Sequence, residues 1–239
     1  MKANEYRGPD SRRVQQMFAG IAHRYDFLNH FLSISIDRRW RSLAVAKVRE
    51  RIPSGASSCL DVCSGTGDLA IALGRALSAG VVATDFCHPM LTRAAEKERS
   101  IPNVEADALQ LPFRDASFDA LTIAFGLRNL EDPVRGLREF HRLLRPRGVI
   151  VILEFSKPVA PVLREAFGFY FRYILPRLGG VISGDAAAYR YLHDSVVKFP
   201  NQNVLMELMQ GVGFQNVDYR NLSGGIAALH WGIANGSGT

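Results

Sequence analysis

Three carboxylates and two glycines are spaced to hold a nucleotide-like ligand. Asp61 ends an apolar run, and the turn Cys63-Ser64-Gly65-Thr66-Gly67 follows it. Asp85 ends Val81-Val82-Ala83-Thr84, and Asp107, with Ala108 behind it, ends Val104-Glu105-Ala106. An apolar run, a tight glycine turn and then a helical pattern bring backbone N–H groups close to a ligand at the carboxyl ends of sheet strands. An acid at the second strand end is placed to accept hydrogen bonds from two ribose hydroxyls. Gly65-Thr66-Gly67-Asp68-Leu69-Ala70 also fits the dinucleotide fingerprint G-x-G-x-x-A. However, a carboxylate immediately before that turn is a poor neighbour for a pyrophosphate and a good one for a cationic amino group, and Asp107 adds a third acid beside an adenine. The set suits S-adenosylmethionine, cationic at sulfur and at its amino group, better than a nicotinamide dinucleotide.

The elements that must position these residues alternate from residue 58 onward. Strands are predicted at 58–63, 80–85, 103–106, 118–125 and 148–155, with helices at 67–78, 88–99 and 133–144 between them. A last helix (201–211) and two strands (214–221 and 226–234) complete a seven-stranded sheet. The strands are mostly continuous apolar runs, as expected where helices cover both faces. This is the pattern of a Rossmann-like, doubly wound, mostly parallel α/β fold. Ahead of it, Asp10 or Ser11 caps a helix running to about residue 24, with Val14, Met17, Phe18 and Ile21 on one apolar face. Asp37 is placed to cap a second helix carrying Trp40, Leu43, Ala44 and Val48. The expected organisation is a single domain: an N-terminal helical cover (1–52), a cofactor-binding core (53–157), an inserted lid (158–200) and the completion of the sheet (201–239).

The bulk composition excludes other classes. The chain has 239 residues, 47% of them hydrophobic and 22% charged, which fits a packed globular protein. No apolar run approaches a membrane span, and the N-terminus has no apolar signal core. Cys59, Cys63 and Cys87 are an odd number without metal-ligand spacing, so they read as reduced, half-buried thiols of a cytoplasmic protein, and no metal site is expected. The net charge is +6, and residues 1–51 supply it with 11 Lys/Arg against 5 Asp/Glu, whereas 52–239 hold 18 of each. A basic segment fits either an anionic partner or solvated helix faces. No appended nucleic-acid-binding module is present, so no nucleic-acid partner is expected.

The three-acid pattern resembles the class I S-adenosylmethionine-dependent methyltransferases, and Leu111-Pro-Phe-Arg-Asp-Ala-Ser-Phe-Asp119 is similar to their approach to the fourth strand. A narrower resemblance covers most of the chain. Tyr25-Asp26-Phe-Leu-Asn29, Ser33 and Trp40 are similar to the N-terminal signature of the ubiquinone/menaquinone biosynthesis C-methyltransferases. Phe125-Gly-Leu-Arg-Asn129 and Arg142 through Ser156 resemble two further signatures, and Tyr191-Leu192, Ser195 and Phe199-Pro200 resemble the family's C-terminal lid. The chain departs from the pattern at Leu28 (usually Met), Asp37 (usually His) and Arg147 (commonly Gly).

The resemblance implies that Thr66, Asp85, Asp107 and Ala108 contact S-adenosylmethionine, with Gly65 and Gly67 forming the turn and Asp61 at its base. It implies methylation of a ring carbon in a polyprenylated quinol, either demethylmenaquinol or a methoxy-polyprenyl-benzoquinol. A ring carbon is a poor nucleophile, and deprotonating a quinol hydroxyl pushes electron density onto it, so a base or a held water is needed. Arg128 and Asn129, just past the fourth strand end, and Tyr25 and Asp26 on the cover are the candidate catalytic residues, with His193 a further polar candidate. Without the resemblance, Arg128 and Asn129 read as caps of the following helix and Tyr25 as a core aromatic. A polyprenyl substrate lives in a bilayer, so peripheral contact with the inner face of the membrane is expected. The aromatic run Phe167, Phe169, Tyr170, Phe171 and Tyr173, beside Arg172 and Arg177, is the candidate contact, with a core helix as its alternative reading.

Overall fold

In a computed structural model of the chain, residues 8–25, 36–169 and 186–235 are described. Asp26, Leu28, Asn29, Ser33 and positions 170–177 of the aromatic run lie outside the described residues. The elements in chain order are α1 (Ser11–Ile21), a 3-10 turn (Ala22–Arg24), α2 (Ile36–Arg51), β1 (Ser58–Val62), α3 (Asp68–Ala76), β2 (Gly80–Asp85), α4 (His88–Lys97), β3 (Asn103–Glu105), β4 (Phe118–Ala124), a 3-10 turn (Leu127–Asn129), α5 (Pro133–Leu143), β5 (Leu144–Phe155), α6 (Pro161–Phe169), α7 (Ala186–Lys198), α8 (Gln202–Val212), β6 (Phe214–Leu222) and β7 (Ala227–Ala234).

The strands form one sheet in the order β3-β2-β1-β4-β5-β7-β6. Pairing is parallel from β3 through β5, and β7 runs antiparallel to both its neighbours. The β1/β4 boundary, where the chain order reverses, is where a doubly wound sheet opens a crevice at its carboxyl edge. Side chains alternate between the two faces with period two. Leu60, Val62, Leu121, Ile123, Ile150 and Ile152 pack with Leu137 and Phe140 of α5 and Leu205 and Met209 of α8. Cys59, Ala120, Val149, Val151 and Leu153 face the other way, onto Trp40, Ala44 and Val48 of α2 and Leu69 and Leu73 of α3. Both faces are dry, which is why the strands read as unbroken apolar runs.

Several boundaries move, each for a local reason. Asp10 caps α1, accepting from the Arg13 amide at 2.9 Å, and the helix tightens to 3-10 geometry after Ile21. Asp37 does not cap α2; it sits in the first turn, buried, and its carboxylate pairs with Arg41 one turn on. Helix α3 stops at Ala76 because Leu77 is already extended, and α4 stops at Lys97 because Glu98 is. Strand β5 starts at Leu144, earlier than the apolar pattern indicates. Phe118 pairs with Leu144 and Ala120 with Val149, and Arg147 in the intervening irregularity takes φ of 68°. A left-handed φ is least strained for glycine, the residue the family commonly places there. Two thiols are more buried than expected: Cys59 and Cys87 are inaccessible, and only Cys63 is partly exposed.

Candidate functional site

A cleft of about 710 Å³, counting its open mouth, lies at the carboxyl edge of β1, β2 and β4. Its polar lining includes Tyr25, Asp85, Asp107, Asn129 and Glu131, with Gly65 on its floor. Its apolar walls are Phe18, Phe86, Met90, Leu109, Phe125 and Leu130. The cover is part of the wall: Ser11, Phe18 and Tyr25 line the cleft, and the Gly8 amide donates to the Glu131 carbonyl at 2.9 Å across its rim.

The turn after β1 is built for close approach. Gly65 and Gly67 take φ of 56° and 82°. A Cβ on Gly67 would stand 3.0 Å from the Ala94 Cβ, so the second glycine lets α3 approach α4. A Cβ on Gly65 would meet only the Tyr25 ring edge, at 3.8 Å, so there the backbone is bare toward the cleft. Asp85 organises the rim. One carboxylate oxygen accepts from the Gly65 amide and the other from the Cys87 amide, each at 2.9 Å. Burial pushes its pKa up to about 6, against these amide bonds. Asp107 accepts from the Leu109 amide at 2.9 Å and lies two residues past β3, and Ala108 beside it lines the cleft. Two non-glycine residues here are also left-handed, Cys63 (φ 53°) and Phe125 (φ 57°), at the ends of adjacent strands. Gly126 sits between them because a Cβ there would come 2.5 Å from the Cys63 Cβ.

Asp61 is placed differently from the other two acids. Strand alternation turns it onto the helix-covered face, 1% exposed, and it does not line the cleft. The register sets Thr122 beside it, and that hydroxyl donates to Asp61 Oδ1 at 2.6 Å. Burial pushes its pKa up to about 7, against the Thr122 bond. Asp61 Oδ2 and Ser64 Oγ are both buried without a hydrogen-bond partner among the described residues. Such groups are costly unless a donor reaches them. The acids that do line the cleft, Asp85 and Asp107, with the bare backbone at Gly65, are the residues that suit S-adenosylmethionine. Thr66 is buried behind the turn, where Lys97 Nζ donates to its hydroxyl at 3.0 Å and to Asp68 at 2.8 Å.

The candidate catalytic residues divide. Tyr25 and Asn129 line the cleft, and Asp26 lies outside the described residues. Arg128 is 5% exposed and does not line it. Its Nη1 donates to Glu154 Oε1 at 2.7 Å and to the Phe125 carbonyl at 2.5 Å. Its guanidinium lies 5.3 Å from the Phe155 ring centroid. Burial pushes the Glu154 carboxyl up, and the Arg128 charge opposes that. Neither residue caps α5; Asp132 does, accepting from the Arg135 amide at 3.0 Å. His193 sits beside Asp194 at 3.0 Å, away from the cleft lining. Glu154, Thr122 and Ser64 had no separate signal in the sequence, because their roles arise from register and from a turn. No group of three or more His, Cys, Asp or Glu among the described residues is placed to hold a metal ion.

Comparison with known proteins identifies the family. A family model described as the ubiE/COQ5 methyltransferase family matches residues 6–234. A demethylmenaquinone methyltransferase of Deinococcus radiodurans is 46% identical over 221 residues, 90% of each chain. A ubiquinone/menaquinone biosynthesis C-methyltransferase of Geobacter sp. (strain M21) is 44% identical over 228 residues, 92% of this chain and 95% of that one. Among solved structures, the [4+2]-cyclase SpnF superposes with a TM-score of 0.70 at 17% identity, covering 97% of this chain and 99% of that one. A SAM-dependent methyltransferase from Thermotoga maritima superposes with 0.64 at 16%, covering 92% and 99%. Identities this low speak for the fold alone, but the two sequence relatives and the family model speak for the chemistry: the chain belongs to the ubiE/COQ5 methyltransferase family and is an S-adenosylmethionine-dependent C-methyltransferase.

Proposed function

We propose that this chain methylates a ring carbon of a polyprenyl quinol in menaquinone or ubiquinone biosynthesis, with demethylmenaquinol as the substrate. The observation that carries the reading is the cleft itself. It joins a carboxylate rim (Asp85, Asp107) to an apolar wall (Phe125, Leu130, Leu109), with Tyr25 and Asn129 in the same lining. Bound cofactor supplies an electrophilic methyl group on a sulfonium. Asp85 is suited to hold the ribose hydroxyls and Gly65 to present a bare backbone. Phe125 and Leu130 exclude water from one side of an aromatic ring, and Tyr25 and Asn129 offer the polar contacts a quinol hydroxyl needs when it gives up its proton. Arg128, committed to Glu154, supports the turn that presents Asn129. The 46% identity to a demethylmenaquinone methyltransferase favours the naphthoquinol over the benzoquinol.

The test is incubation with methyl-labelled S-adenosylmethionine and either reduced demethylmenaquinone or a reduced methoxy-polyprenyl-benzoquinone, followed by product mass. Label in the naphthoquinol product is the expected result. Label in the benzoquinol alone moves the substrate to the other pathway, and label in neither ends the quinol reading.

Membrane contact follows from such a substrate. No helix among the described residues is long and apolar enough to cross a membrane. Near α6, Val159 and Phe169 are each 58% exposed and Val162 is 80% exposed, an apolar surface suited to a lipid interface. Co-sedimentation with vesicles should rise with anionic lipid content, and binding indifferent to it removes the electrostatic part contributed by the basic N-terminal segment.

A further inference from the structure

Helix α7, in the segment read as a lid, is hydrogen-bonded to the cleft lining through Tyr191. Tyr191 of α7 donates its hydroxyl to Asn129 Oδ1 at 2.8 Å, across 62 residues of sequence. Asn129 in turn donates from Nδ2 to the Phe125 carbonyl at 3.2 Å, and that same carbonyl accepts from Arg128 Nη1. An asparagine amide carries two acceptor lone pairs and two N–H groups, and its two ends exchange by a rotation about one bond. The tyrosine hydroxyl donates only to the oxygen end here, and the backbone carbonyl accepts only from the nitrogen end. Together they fix the rotation and leave one N–H and one lone pair for whatever enters the cleft that Asn129 lines.

We propose that Tyr191 is a positioning residue for methyl transfer. By seating α7 against the 127–129 turn, it locks the Asn129 amide in the orientation that meets the quinol hydroxyl, so the site is complete only when the lid helix is docked. This rests on the quinol reading above. The cofactor end of the cleft, formed by Asp85 and Gly65, does not involve this bond. Loss of the hydroxyl therefore separates turnover from cofactor affinity.

Three proteins decide it: Tyr191→Phe, which keeps the ring and removes the donor, Asn129→Ala, and the double variant. Tyr191→Phe should lower kcat by about tenfold, the factor one neutral hydrogen bond supplies, while the Kd for S-adenosylmethionine and the melting temperature stay unchanged. In the Asn129→Ala background the same change should cost nothing further, because the group it positions is gone. Unchanged kcat in Tyr191→Phe, or losses that multiply in the double variant, overturns the proposal. A second measurement is independent of substrate. Amide hydrogen exchange across 186–198 should quicken in both single variants, and equal protection in Tyr191→Phe and the parent chain also overturns it. Absence of turnover by the parent chain on any quinol is the failure of the substrate reading instead, and the exchange result then decides whether Tyr191 docks the lid.

Discussion

Replacing Asp61 with Asn should make the cofactor-free protein's stability less sensitive to pH. The carboxyl is fully buried, with one oxygen on Thr122 and the other without a hydrogen-bond partner among the described residues. It titrates at about 7 in the folded protein, against roughly 3.9 in an unfolded chain. Between those values the folded state binds a proton that the unfolded state has released, so the group's contribution is largest at low pH and is lost as pH rises toward 7. From about pH 5 to about pH 8 the parent chain should lose about 2–3 kcal/mol from this one group, at about 1.4 kcal/mol for each pH unit up to the folded pKa. Asn keeps the shape and the acceptor for Thr122 and has no proton to lose. It also buries an N–H pair, at a cost of about 1–3 kcal/mol, but that cost does not vary with pH. Asp85 titrates in both proteins and cancels to first order. The assay is urea unfolding of both chains at the two pH values without cofactor. The variant-minus-parent difference should shift by about 2–3 kcal/mol in the variant's favour at the higher pH. A difference that is the same at both pH values refutes the argument that burial holds the Asp61 carboxyl protonated to near neutral pH.

Asp85→Asn should weaken S-adenosylmethionine binding by at least about tenfold, since one oxygen of the charged acceptor becomes a donor facing an amide; calorimetry reads it, and unchanged affinity removes Asp85 from the site. Arg128→Ala should destabilise the fold by about 3–5 kcal/mol by leaving Glu154 buried and unpaired. Adding Glu154→Gln should recover part of that loss in denaturant unfolding, and no recovery refutes the ion-pair account. Gly126→Ala should disrupt the cleft because its Cβ would stand 2.5 Å from that of Cys63. Cys63→Gly should restore cofactor binding in that background, both by removing the clash and by suiting φ of 53°.

The order of elements was readable from residues 58–234 because helix and strand periodicity are local, and the doubly covered sheet leaves continuous apolar strands. The glycine turn, Asp85 and Asp107 were readable for the same reason: each lies at a strand end, and strand ends in this topology converge on one edge. What the chain alone did not decide was which way side chains point. Asp61 stands one residue from the end of β1, and alternation buries it against Thr122 instead of opening it to the cleft. Arg128 and Asn129 are adjacent in sequence, yet the 3-10 turn sends one inward to Glu154 and leaves the other in the cleft lining. Tyr191 reaches Asn129 only because the chain brings α7 back to the 127–129 turn across 62 residues of sequence. Pattern and spacing determine what elements form and in what order; register, alternation and long-range closure decide which of their polar groups meet, and those arise only when the whole chain is packed.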